Sequence, residues 1–234
     1  MKTDKPSVEQ EPPKRPVALG IAAIAGIIAV VLRIVPHPPG FTGVGGLGLF
    51  GGARLRAWQA YLFPLGIMLL SDVLLWVLTG FDPKYSLAHL SRVYVYASFM
   101  IYVTLGRWLC DKSSILSVTL VATLGGVQFF VLTNFCEWLF QPFQIGYEAI
   151  PAPWRYSRDF EGLITCFAWA LGFYQQEMPG MSHPFMVVTN FPMSLLVWTV
   201  LGDVLFTSLY VLAYEKLAQR VDASKEAPLP ATDA

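Results

Sequence analysis

Apolar runs of about 20 residues alternate along the chain with short polar breaks, the pattern of helices that cross a bilayer at a rise of about 1.5 Å per residue. Five runs have that length: residues 17–35, 57–79, 92–110, 115–140 and 191–214. Two shorter apolar runs accompany them, the glycine-rich 44–53 and the segment 162–174. Residues 1–16 and 218–234, rich in proline and charge, read as disordered tails around a helical domain at 17–217. The first tail lacks the basic start of a signal peptide and no small-residue cleavage site follows the first run, so that run is expected to remain as an uncleaved span.

Lysine and arginine gather on cytoplasmic flanks and therefore arbitrate between the short runs. If 44–53 crosses and 162–174 does not, Lys2, Lys5, Lys14, Arg15, Arg54, Arg56, Arg107, Lys112, Lys216, Arg220 and Lys225 fall inside, and Arg33, Lys84, Arg92, Arg155 and Arg158 outside. If both short runs cross, or neither does, the split is eight against eight. The sequence therefore predicts an all-α, polytopic membrane bundle of six crossings with both termini cytoplasmic, as in a bacterial inner membrane. Ten glycine-rich residues reach only about 15 Å, so the second crossing must be shielded by its neighbours and stand at the centre. The outer loop 141–190 then carries 162–174 as an interfacial or re-entrant helix.

Composition agrees with this reading and removes other classes. Hydrophobic residues make up 55% of the chain and charged residues 14%, against about 25% charged in soluble domains. Sixteen basic and sixteen acidic residues cancel, leaving no basic surface for nucleic acid. Cys110, Cys136 and Cys166 are widely spaced, and no metal-ligand or haem motif occurs. No cofactor is expected.

Ionisable groups inside spans cost about 2.5–3.5 kcal/mol each on insertion scales and so call for a reason. Here they are Arg33, Asp72, Glu137 and Asp203. Counted from the cytoplasmic side, Arg33 stands about 24 Å up its span, Asp72 about 22 Å and Asn134 about 28 Å, all in the outer half. His37 and Glu137 share that level. Asp203, about 16 Å up, is nearer the midplane and is expected against polar neighbours such as Thr207. These residues form either a solute pocket or buried pairs, with Arg33–Asp72 as the leading structural pair. Ala18, Ala22, Ala25 and Ala29 place small side chains on the first helix, suited to close contact within the chain or with another subunit. The short echo Leu70–Leu74 (LSDVL) and Leu201–Leu205 (LGDVL) defines no repeat.

The run Arg33, Pro36-His37-Pro38-Pro39, Phe41-Thr42, Val44, Leu47 and Leu49 to Ala53 resembles the signature of an uncharacterised bacterial family of integral-membrane proteins regarded as transporters. Matching stretches at Leu70-Ser71-Asp72, Leu105-Gly106-Arg107, Leu132 to Phe135 and Leu201-Gly202-Asp203 extend the resemblance over roughly residues 30–215. Gly40 and Gly43 depart from the asparagine and proline usual there. That family is in turn distantly similar to the substrate-binding S subunits of energy-coupling-factor importers. The resemblance implies six helices, an outer-half pocket closed by a lid at His37 to Thr42, and a docking face for a coupling subunit at Ala18, Ala22, Ala25 and Ala29.

Two functions follow as expectations. One is a non-enzymatic transport protein in the lipid bilayer that captures a small solute with Arg33, His37, Asp72, Asn134, Glu137 and Asp203, energised by a partner or an ion gradient. The other is an accessory or scaffolding subunit of a larger membrane complex. Paired Asp72 and Asp203 catalysis is not expected, because the two differ in depth.

Overall fold

The computed structural model describes residues 15–35, 37–38, 40–82, 85–109, 114–144, 146–150, 155–171 and 194–226. Among the described residues the fold is all-helical: α1 (Arg15–Ile34), α2 (Val44–Arg54), α3 (Ala57–Leu78), α4 (Ser91–Arg107), α5 (Ile115–Phe140), α6 (Phe160–Leu171) and α7 (Leu195–Glu226). Four helices, α1, α3, α5 and α7, are long and apolar enough to cross a membrane. α4, at 17 residues, spans about 26 Å, and the 12-residue α6 only about 18 Å. The expected tail 1–16 lies outside the described residues save for its last two, which open α1.

The second expected tail needs correction. α7 continues to Glu226, because residues 215–226 contain neither glycine nor proline and the first breaker is Pro228. Its last turns lie beside the start of α1 across a shallow apolar groove of about 330 Å³, between Val17, Ile21 and Ile24 on one side and Leu217, Arg220 and Val221 on the other. Both described chain ends therefore sit at one end of the bundle.

The distribution of side chains is the inverse of a water-soluble core. Ser71, Asp72, Ser98, Asn134, Thr199, Asp203 and Thr207 are buried, while Ile24, Ile27, Leu62, Leu69, Val93, Leu120 and Leu205 are exposed. A lipid environment rewards this arrangement, since apolar side chains lose nothing by facing acyl chains and polar ones must find partners inside.

At the centre stands α2, the glycine-rich run VGGLGLFGGAR, buried from Val44 through Ala53. It is flanked by α1, α3, α4 and α7. Glycine makes that possible. A methyl group at Gly52 would collide with the Val103 carbonyl of α4, one at Gly106 of α4 with the Leu49 carbonyl of α2, and one at Gly46 would press on Phe206 and Thr207 of α7. Backbones that touch gain dispersion along their length, which replaces the hydrophobic drive absent between helices in lipid. Leu47, Leu49 and Phe50 then fill the spaces toward α1, α4 and α7.

Overpacking costs about 1–3 kcal/mol where nothing can shift, whereas alanine for glycine in an open helical position gains up to about 1 kcal/mol. Gly52→Ala and Gly106→Ala are each expected to lower the melting temperature in detergent. Gly66→Ala in α3, where a methyl meets nothing within 4 Å, is expected to leave it unchanged or raise it. Equal effects at all three positions would remove α2 from its role as the packing centre.

Candidate functional site

Asp72 comes from the last third of α3 and has no exposed surface. The Arg33 guanidinium of α1 donates through Nη2 to its Oδ1 at 2.5 Å, and Arg92 Nη1, from the first turn of α4, lies 3.2 Å from the same oxygen. Tyr96, one turn further along α4, donates its hydroxyl to Oδ2 at 2.6 Å. One carboxylate thus gathers two hydrogen-bond donors and a second cation from two other helices. The arginine side chains are 15% and 19% exposed, so they reach the edge of the bundle while their heads turn inward.

The cluster carries two positive charges and one negative. A structural ion pair needs only one of each. The Nε–H groups of both Arg33 and Arg92 are buried with no hydrogen-bond partner among the described residues, so the pair holds donors that Asp72 does not use. His37 stands close to Arg33 but turns its Nδ1 to the Val35 carbonyl at 2.8 Å. Burial, followed by the neighbouring guanidinium, holds His37 below the ordinary histidine value. His89 is held down in the same way by burial and by Arg92. Both histidines therefore add donors or acceptors to this end of the bundle at neutral pH more readily than they add charge.

The remaining expected residues do not join this cluster. Glu137 accepts hydrogen bonds from Tyr94 and from Gln144 Nε2, a second polar group on the same end of the bundle. Asn134 donates to the Phe130 carbonyl of its own helix at 2.7 Å, and its own carbonyl accepts from the Cys166 thiol of α6. α6 itself begins on Asp159, whose carboxylate accepts from Gly162 N–H at 2.8 Å as an N-cap. Asp203 lies apart, bonded to Tyr102. Its expected neighbour Thr207 is buried, but its hydroxyl has no hydrogen-bond partner among the described residues.

Ala18, Ala22, Ala25 and Ala29 have no exposed surface, and all four pack into the chain's own core beside α2. The docking face implied by the resemblance is therefore corrected to an internal one: small side chains are spent on admitting α2. The outward face of α1 is instead Ile24, Ile27 and Val31. The loop after α1 lies on the start of α7, with Phe41 edge-on to Trp198 and tilted against Phe206. Gly40 adopts φ +78°, a conformation open mainly to glycine and asparagine. A side chain there would also strike Thr199, which accounts for glycine in place of asparagine. At Gly43 a methyl would meet the Tyr210 hydroxyl at 2.8 Å.

Arg92 and Tyr96 were missed as site residues, although their signal is present. Asp72 lies six residues before the end of α3 and Tyr96 five residues into α4, so an antiparallel pairing puts them at one level. Arg92 stands one turn from Tyr96 on the same face.

Removing one partner of a buried pair leaves the other charge uncompensated, at a cost of about 3–5 kcal/mol. Asp72→Asn, which strands two guanidinium groups, is expected to destabilise the detergent-solubilised protein by that order. Arg92→Gln, which leaves Arg33 on Asp72, is expected to cost under about 1 kcal/mol. Similar losses in both variants would mean that Arg92 is as structural as Asp72.

No curated protein matches the chain. No solved structure matches it. Residues 14–226 match the sequence model of a family described as being of unknown function, DUF6580. That match takes in all seven helices, and the chain belongs to this family of unknown function.

Proposed function

We propose that the chain is an integral-membrane transport protein that captures a small solute bearing an anionic group at the Arg33–Asp72–Arg92 end of the bundle. The observation that carries this reading is the second guanidinium. Arg33 alone would neutralise Asp72, yet Arg92 also converges on it, and each arginine keeps a buried Nε–H without a partner. A carboxylate or phosphate group of a solute supplies the missing charge and acceptors in fork-like geometry. His37 stands beside Arg33 and His89 beside Arg92, and in this reading the loop through Phe41 and Thr42, which packs on α7, serves as the cover. In this reading the chain crosses a bacterial inner membrane six times, with α2 as the short shielded crossing, α6 re-entrant and both termini in the cytoplasm. The excess of basic residues at the α1-start end supports that direction. Release inward requires an energy source outside this chain, a coupling subunit or an ion gradient.

A second reading rests on the two hydrogen bonds and the ion pair that already serve Asp72: a clamp of α1, α3 and α4 within an accessory subunit of a larger complex. Thermal shift separates the two. A ligand confined to the folded state adds about 2.7 kcal/mol at a concentration of 100 times its Kd. A panel of small carboxylates, phosphates, neutral vitamins and metal ions is expected to give a rise in melting temperature with an anionic member, lost in Arg92→Gln. A panel that raises the melting temperature nowhere, with the variant folded, would sink solute capture and leave the clamp.

A further inference from the structure

A second buried acid of the bundle is Asp203 in α7. It is 3% exposed and accepts a hydrogen bond through Oδ2 from the hydroxyl of Tyr102, itself 1% exposed, at 2.5 Å. The elements packed against it are α2, α4 and α5. α2 presents Gly45, α5 presents Gly126, and α4 presents Tyr102. None of these is a cation, and no ion pair to Asp203 exists among the described residues. On its own helix the nearest polar groups on the same face are Thr199, one turn earlier, and Thr207 and Tyr210, one and two turns later. Thr199 is satisfied by the Leu195 carbonyl, while the Thr207 and Tyr210 hydroxyls are buried with no hydrogen-bond partner among the described residues.

The sequence makes room for this acid. A methyl group at Gly45 would overlap Asp203 Oδ1, one at Gly126 would come within 3.2 Å of Oδ2, and one at Gly125 would press into the Tyr102 ring at 2.5 Å. Gly45 and Gly125 on two helices thus leave room for an acid–phenol pair in an apolar interior, while Gly126 clears Val200 as well as the acid. A bare carboxylate there, with no cation and one donor, costs many times what a neutral carboxylic acid costs. A metal ion is poorly served, since no group of three or more histidine, cysteine, aspartate or glutamate side chains occurs among the described residues and hard cations ask for about six oxygens.

The cover over the acid is equally specific. Gly202, the residue before Asp203, faces Phe41 Cα and Thr42 N at 3.3 and 3.5 Å from where a Cβ would stand. Gly45 is three residues beyond Thr42. One continuous stretch, the loop at 40–43 and the first turn of α2, therefore closes the α7 surface that holds Asp203.

We propose that Asp203 is a proton-binding site, carrying its proton in this closed packing and giving it up to water only when the 40–43 loop and the start of α2 lift from α7. The step is a plain dissociation, carboxylic acid to carboxylate plus a proton taken by water. It is independent of whether the Arg33–Asp72–Arg92 cluster takes a solute. If that reading also holds, the shared loop ties solute entry to proton movement.

Infrared spectroscopy of the full-length protein in lipid tests this directly. At neutral pH the wild type is expected to show a carboxylic acid C=O band that shifts in deuterated water, is absent from Asp203→Asn and moves to higher frequency in Tyr102→Phe. The shift on transfer to deuterated water is expected to be slow, and about tenfold faster or more in Phe41→Ala, because exchange follows local opening. Identical acid bands in wild type and Asp203→Asn would overturn the proton site. Should Asp203→Asn fail to fold, an acid band insensitive to Tyr102→Phe would do the same. An unchanged exchange rate in Phe41→Ala would overturn the closure by the loop.

Discussion

Everything in this bundle is arranged around the need to bury one short helix on all sides. α2 is too short to present polar ends to lipid, and its backbone must be screened by neighbours along its whole length. Glycine at 46, 48 and 52, met by Gly106 on α4, lets α4 and α7 come to backbone contact with it. The alanines of α1 belong to the same solution. They are small because α2 and its own large side chains, Leu47 and Phe50, take the space in front of them.

That close packing also decides where polar groups can go. A bundle held together by glycine and alanine has little slack, so a charged residue survives inside only where partners from several helices meet it. Asp72 is the clearest instance, with donors from α1 and α4. Asp203 is the opposite case, an acid given space by glycines and a single phenol. The two lie in related sequence, LSDVL and LGDVL, yet one is charge-compensated at the end of the bundle and the other sits among uncharged groups within it. α4 links them, contributing Arg92 and Tyr96 to the first and Tyr102 to the second. Both proposed activities thus depend on one helix that was the least apolar of the expected crossings.

The resemblance to transport families and the geometry meet only in part. Of the loop between α1 and α2, Phe41 and Thr42 rest on the first half of α7. The alanine face does not look outward. The large side chains that α1 turns outward are Ile24, Ile27 and Val31.

Much of the architecture was legible from period and length alone. Apolar runs of spanning length matched α1, α3, α4 and α5 to within a few residues, because in lipid a helix has no competitor for its own backbone hydrogen bonds, while α7 runs twelve residues past its apolar run. The centrality of 44–53 followed from the same constraint, as did the brief helix at 160–171. The pairing of Arg33 with Asp72 was accessible from depth. What only the tertiary structure decided was rotation and reach: which way each helix turns its polar residues, and how far a long side chain bends from its Cα. Arg92, counted as a flanking charge, folds back onto Asp72, while Asn134 and Glu137, at similar depth, turn to partners of their own. Rotation is set by packing against α2, which depends on many small contacts at once, and no local pattern in the chain encodes it.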